Sequence, residues 1–259
     1  MHHPTAIIHP NAKIGEGVTI GAYTIIEDDV EIGDGTEIAN HVTIHSGVRL
    51  GKKNIIFAGS YFGADPQDLG FDRSSRTYLS IGDGNTFREN TNIHRSTSAE
   101  NPTRIGDGNY LMGNVHVGHD CVLGNRNIIT HSSMLAGHVH VGNHAFISGL
   151  TGVHQFCQIG DYVMIGGISK ITKDIVPYSM ADGNPSSITG LNMVGLKRAG
   201  FTEQQTRTIK NIYKILFMRG LSITNAVEEL RQLPPSTEVT TMLRFIETSK
   251  RGILMNRQN

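Results

Sequence analysis

The chain has 259 residues, room for one large domain or a large domain with a small appendage. Its 23 Lys and Arg balance 23 Asp and Glu, so no net charge argues for nucleic acid or an anionic membrane as partner. No apolar run approaches the roughly 20 residues of a membrane span, the opening MHHPTAIIHP lacks the layout of a signal peptide, and two cysteines make no disulfide framework. The expectation is a cytoplasmic, non-membrane protein. With 30 glycines, no tryptophan and few aromatics, its core must be built from aliphatic residues in some regular way.

That regularity starts near the N-terminus. Stepping by six from Ile8 gives Ile14, Ile20, Ile26, Ile32, Ile38, Ile44, Leu50 and Ile56. Stepping by six from Ile105 gives an aliphatic residue each time as far as Ile171. Four residues after each lies a second regular position, small or β-branched: Val18, Thr24 and Val30 early, Val115, Cys121 and Asn127 late. A helix repeats near 3.6 and a flat strand at 2, so a period of six with two inward positions means a short strand and a turn. A parallel β-helix is predicted, with Gly15, Gly21, Gly33 and Gly118 at corners where the chain turns tightly.

Two interruptions, 57–80 and 94–104, are polar and turn-rich, and insertions in a solenoid project as loops. The β-helix is expected to end at 186 and a small α-helical C-terminal domain to fill 187–259. Residues 181–201 read as a connector, Thr202 with Gln205 as a capping box, Gly220 as a helix stop, Ser222 as a second helix start, and Pro234–Pro235 as the break before a third. Residues 197–219 carry Lys197, Arg198, Arg207, Lys210, Lys214 and Arg219 against Glu203 alone. That stretch is a solvated helix face or a docking patch for an acidic protein or a phosphate.

The stretch GNVHVGHDCVLGNRN at 113–127 holds the chemistry. None of the 13 histidines falls on an inward column, which removes the core-histidine explanation; His9, His41, His45, His94 and His144 read as ordinary surface residues. His-x2-His plus a third histidine is one way to bind zinc, yet His116 and His119 sit at different corner positions and close no ligand set. The stronger reading is a general base: an imidazole titrates near neutrality, and Asp120 follows His119 directly. Cys121 and Cys157 are both inward, so they are packing residues rather than nucleophiles.

The motifs HVGHDCVLGNRN, LAGHVHV, GVHQF, GNPSSITGLN and GLKRAGF resemble, in order and spacing, the acyl-[acyl-carrier-protein]–UDP-N-acetylglucosamine O-acyltransferases, hexapeptide-repeat enzymes that begin lipid A synthesis. The resemblance covers the whole chain and implies a left-handed prism with three hexads per coil, so that residues n and n+18 stack about 4.8 Å apart. His119, Gly137–His138 and His154–Gln155 then share one edge. It implies transfer of a 3-hydroxyacyl chain from acyl carrier protein to the 3-position of UDP-N-acetylglucosamine, without cofactor or metal, in a homotrimer with sites between subunits. By the same resemblance His119 is the base, Asp120 its orienting carboxylate, and the Gly137 N–H the oxyanion donor. His138 and His154 would hold sugar and pantetheine, with His116 and Gln155 in support. Gln67, Asp68, Asn192 and Arg198 would contact the nucleotide sugar, while Gly167 and Lys170 would set acyl length. Gly70, Val194 and Ala199 depart from better-known members and leave room for a 3-amino acceptor sugar. The competing readings are the lipid A N-acyltransferase, which carries an extra N-terminal domain, a metal-dependent carbonic anhydrase-like hydratase, and a non-enzymatic β-helix, whose flat repetitive arrays this edge lacks.

Overall fold

The computed structural model describes residues 1–256. Two-residue strands follow one another every six residues and stack into three parallel sheets forming a left-handed prism. The first sheet runs from Ile7–Ile8 through His116–Val117 to Lys170–Ile171, the second from Lys13–Ile14 to Gln158–Ile159, and the third from Thr19–Ile20 to Ser186–Leu191. The register is the predicted one: Ile7 pairs with Ile25, His116 with Met134, and Gly152 with Lys170. Residues one coil apart therefore lie directly over one another.

The repeat folds this way because every inward position stacks on the equivalent inward position of the coils above and below. Ile26, Ile44, Ile56, Leu111, Ile129 and Ile147 are essentially removed from water and form continuous columns. The second inward column contains a polar run that the hexads alone do not explain. Asn85 Nδ2 donates to Asn54 Oδ1 (3.0 Å), Asn109 Nδ2 donates to Asn85 Oδ1 (3.0 Å), and Asn127 N–H donates to Asn109 Oδ1 (2.9 Å). Each buried amide thus bonds the next, and the ladder locks the stacking of four coils. Cys121 and Cys157 lie inside as expected, and burial pushes their thiols up to about 12 and about 11.

Three sequence expectations need correcting. The expected interruptions at 57–80 and 94–104 are narrower, because Tyr61–Ala64 pairs with both Thr43–Ile44 and Asn92–His94, and Leu79–Ile81 sits between Val48–Leu50 and Thr103–Ile105. The prism is continuous through this region, and only residues 65–78 and 95–102 leave it. The supposed connector is an antiparallel hairpin, Ser179–Gly183 with Ser186–Leu191, that carries the third sheet past residue 186. Finally, the helix expected to stop at Gly220 ends earlier, at Phe217.

Four helices follow: α1 (Met193–Arg198), α2 (Glu203–Phe217), α3 (Ile223–Arg231) and α4 (Thr237–Thr248). The capping box on α2 is complete, with Gln205 N–H donating to Thr202 Oγ1 (3.2 Å) and Thr202 N–H to Gln205 Oε1 (3.0 Å). Ser222 and Ser236 cap α3 and α4 with a single bond each, their hydroxyls accepting from Asn225 N–H and Val239 N–H. Ile209, Ile212, Leu216, Leu230 and Met242 close the small helical core. Among the described residues no helix is long and apolar enough to cross a membrane.

Candidate active site

His119 and Asp120 occupy the corner between the first and second sheets, where Asp120 adopts φ 59°. Asparagine, aspartate and histidine tolerate this left-handed turn better than most residues, and His138 repeats it one coil on, with φ 61°. The turn aims both side chains outward, above the first sheet. His119 Nδ1 lies 2.7 Å from Asp120 Oδ2. Asp120 is ionised, so Nδ1 carries the proton and donates it, which leaves Nε2 as the free, basic nitrogen.

Gly137 packs directly on that free side. A Cβ placed on it would sit 2.6 Å from His119 Cε1 and 2.7 Å from Nε2, closer than any side chain permits. Glycine is required here by a close approach to the imidazole. Gly118 is required by a backbone approach instead, since a Cβ there would lie 2.8 Å from the Gly137 nitrogen. Among the described residues no protein group accepts from the Gly137 N–H, which leaves it available beside His119 Nε2.

His138 completes the corner. Its ring stacks on Phe156 (4.5 Å between centroids), meets His119 edge to face (5.2 Å), and holds Nε2 3.5 Å from Asp120 Oδ2. Burial pushes the Asp120 carboxyl up, but hydrogen bonds from His119 and Thr97 and the neighbouring His138 outweigh it, so its pKa lies below the ordinary carboxylate value. His119, Asp120 and His138 also present atoms close enough to share a metal ion. Both Asp120 oxygens, however, already accept from Thr97, and one of them from His119 as well. This is the arrangement of an oriented base rather than an open metal ligand.

His116 faces out of the first sheet one strand before the corner. Burial, with His94 and His119 nearby, pushes its pKa down to about 4, so the ring is neutral at physiological pH. His94, expected at the surface, is in fact 4% exposed. The first loop covers it: Nδ1 donates to the Asp65 carbonyl (2.6 Å), and the ring meets His116 edge to face (5.2 Å). No sequence signal marked this residue, because the atom that buries it lies 29 positions away.

The remaining expected residues divide into three groups. His154 and Gln155 are exposed on the same edge, and His154 with His116, Met134, Gly152 and Lys170 lines an apolar groove of about 340 Å³ across the first sheet. Gly167 is exposed at the corner on the opposite side of that sheet, away from His119. Gln67 and Asp68 are exposed on the first loop, where Asp68 Oδ1 accepts from Gly70 N–H (2.9 Å); neither joins the histidine cluster within this chain. Asn192 is the N-cap of α1, with Oδ1 accepting from Gly195 N–H (3.0 Å) and Nδ2 donating to the Tyr162 carbonyl (2.8 Å), so both ends of its amide are already engaged. Arg198 lines a separate basic cleft with Lys197, Arg207, Lys210, Val194 and Phe201.

Residues 174–254 match the model described as UDP N-acetylglucosamine O-acyltransferase, domain 2, and residues 11–46 and 102–137 match the bacterial transferase hexapeptide repeat. The chain is 45% identical to the acyl-[acyl-carrier-protein]–UDP-N-acetylglucosamine O-acyltransferase of Myxococcus xanthus over 97% of its length and 98% of that protein's. The same enzyme of Aliarcobacter butzleri is 41% identical, with 99% and 98% covered. Among solved structures, the UDP-N-acetylglucosamine acyltransferase of Francisella novicida superposes with a TM-score of 0.97 at 37% identity, covering 100% of this chain and 95% of that one. That of Bacteroides fragilis gives 0.95 at 41% identity, with 98% and 100% covered. The chain therefore belongs to the acyl-[acyl-carrier-protein]–UDP-N-acetylglucosamine O-acyltransferase family.

Proposed function

We propose that the chain transfers a 3-hydroxyacyl group from acyl carrier protein to the 3-position of UDP-N-acetylglucosamine or its 3-amino analogue, the first step of lipid A biosynthesis. The observation that carries this reading is the His119–Asp120 pair, with its free Nε2 packed against Gly137. In the reaction His119 Nε2 removes the proton from the sugar 3-hydroxyl as its oxygen attacks the thioester carbonyl carbon. The Gly137 N–H donates to the oxyanion that forms. Collapse breaks the carbon–sulfur bond, and the pantetheine sulfur takes the proton back from His119, leaving an ester and a thiol. Asp120 holds the tautomer and balances the imidazolium.

His138 and His154 hold sugar and pantetheine, with neutral His116 and Gln155 beside them, and the acyl chain lies in the groove that Lys170 lines. Lys170 and Gly167 limit its length. Gln67, Asp68 and Arg198 contact the nucleotide sugar. Asn192 contributes by fixing α1, since its amide is already bonded at both ends. The basic side chains on α1 and α2 form the face on which an acidic carrier protein docks.

The working unit is a cytoplasmic homotrimer. Supporting this, the first sheet exposes Ile7, Ile25, Tyr61 and Met134 and the third exposes Ile55, Ile128 and Phe146. The second presents Lys13, Glu31, Arg49 and Arg104. A cyclic trimer joins two unlike faces of each copy, and two apolar faces beside a charged one meet that requirement. Mass spectrometry of products from UDP-N-acetylglucosamine and its 3-amino analogue, with acyl carrier protein donors of graded chain length, tests the reading. A new ester or amide at the 3-position is expected, and no acylated sugar from any pair would refute it.

A further inference from the structure

We propose that Thr97 is a positioning residue for the His119–Asp120 pair, holding the carboxylate on His119 and away from His138. The proposal rests on the acyltransfer reading above. Thr97 lies in the second loop, 23 positions from Asp120, yet it grips both oxygens of that carboxylate. Its backbone N–H donates to Oδ1 (3.0 Å) and its hydroxyl to Oδ2 (2.9 Å). Two donors to two oxygens fix the plane of the group as well as its charge. The strand that follows this loop grips the corner a second time, where Asp120 N–H donates to Thr103 Oγ1 (2.8 Å).

The clamp matters because Asp120 Oδ2 has two imidazole suitors. His119 Nδ1 is 2.7 Å away and His138 Nε2 is 3.5 Å away. A modest rotation of an unclamped carboxylate would shorten the second contact and lengthen the first. The proton on His119 would then lose its fixed acceptor, and Nε2 its assignment as base. Thr97 removes that freedom.

The clamp is also tied to the first loop. Three residues before Thr97, His94 donates to the Asp65 carbonyl, and Arg95 pairs with Asp65 Oδ1 at 2.8 Å. Arg73 engages the other Asp65 oxygen at 2.9 Å. The loop that carries Gln67 and Asp68 is therefore anchored to the segment that sets the base. The titratable groups facing Asp120 are His119 and His138, with His116 and His94 beyond them.

The test compares Thr97→Val, which keeps the N–H and loses the hydroxyl, with Thr97→Ser, which keeps both. Thr97→Val is expected to lower kcat about tenfold to a hundredfold, with KM for both substrates within about twofold. The acid limb of kcat/KM should move to higher pH, because a carboxylate with one donor fewer keeps more of its negative charge for the imidazole and the coupled pair takes up its proton earlier. Thr97→Ser should restore both kcat and the profile. In an Asp120→Asn background, Thr97→Val should cause no further loss, since Thr97 acts through Asp120. A wild-type kcat and profile in Thr97→Val would overturn the proposal, as would a full additional loss in the Asp120→Asn background. Failure of the wild-type enzyme to acylate the sugar at all would instead count against the acyltransfer reading, and the same assay separates the two.

Discussion

Replacing Gly137 with alanine tests the geometry of the proposed base, His119, directly. Gly137 is not among the residues with left-handed φ, so the backbone accepts a side chain without strain. The new methyl would nonetheless lie 2.6 Å from His119 Cε1 and 2.7 Å from Nε2. Ordinary contact needs roughly 3.4 Å or more, so the imidazole must retreat by about 0.8 Å. It cannot do so freely, because Nδ1 is held 2.7 Å from Asp120 and Asp120 is clamped by Thr97. A misplacement of that size costs about a hundredfold in rate, near 3 kcal/mol in the barrier. The Gly137 N–H survives the substitution, so the loss reports on the proposed base His119 and not on the proposed oxyanion donor. The assay is kcat at saturating donor and acceptor, paired with a melting curve. We expect a melting temperature within about 2 °C of wild type, since the methyl points out of the core. A kcat within threefold of wild type would refute the placement of His119 against Gly137.

Two further outcomes follow from polar groups held in or against the prism. Asn85→Ala leaves the Asn109 N–H and side-chain amide without their acceptor, which lay at 2.8 and 3.0 Å, and should lower stability by about 2–4 kcal/mol in urea titrations; a loss under about 0.5 kcal/mol would show that the ladder contributes nothing. His116, flanked by His94 and His119, is held neutral, with its pKa depressed from 6.5 to about 4. A depressed histidine binds protons more readily when unfolded, so its contribution is present above pH 6.5 and is lost as pH falls toward 4. After allowing for partial exposure this is about 2 kcal/mol, and His116→Gln should flatten the stability profile across that window; an equally steep profile would place the effect elsewhere.

Much of the fold was legible because it is one-dimensional. Each coil contacts the coils above and below, so the step of six from Ile8 to Ile56 and from Ile105 to Ile171 states the contacts as well as the strands. The stacking rule likewise brings His119, Gly137 and His138 to one corner. The counted runs stopped at Ile56 and resumed at Ile105, so they passed over Phe62, Ile81, Phe87 and Ile93, core residues that keep the step of six on either side of the first loop. The hairpin at 179–191 was missed because its pairing is antiparallel and has no period to follow.

Within the site, the sequence by itself determined the corner, since a period shared by every coil leaves His119 and Asp120 no place except the outward turn. The tertiary structure decided which nitrogen is free, what holds the carboxylate and which histidines are neutral. Those depend on Thr97 reaching Asp120 across 23 residues and on the Asp65 carbonyl covering His94 across 29. Both contacts are made by loops that leave the prism and return. A periodic pattern specifies only what repeats, and a loop's contacts are set by where it lands.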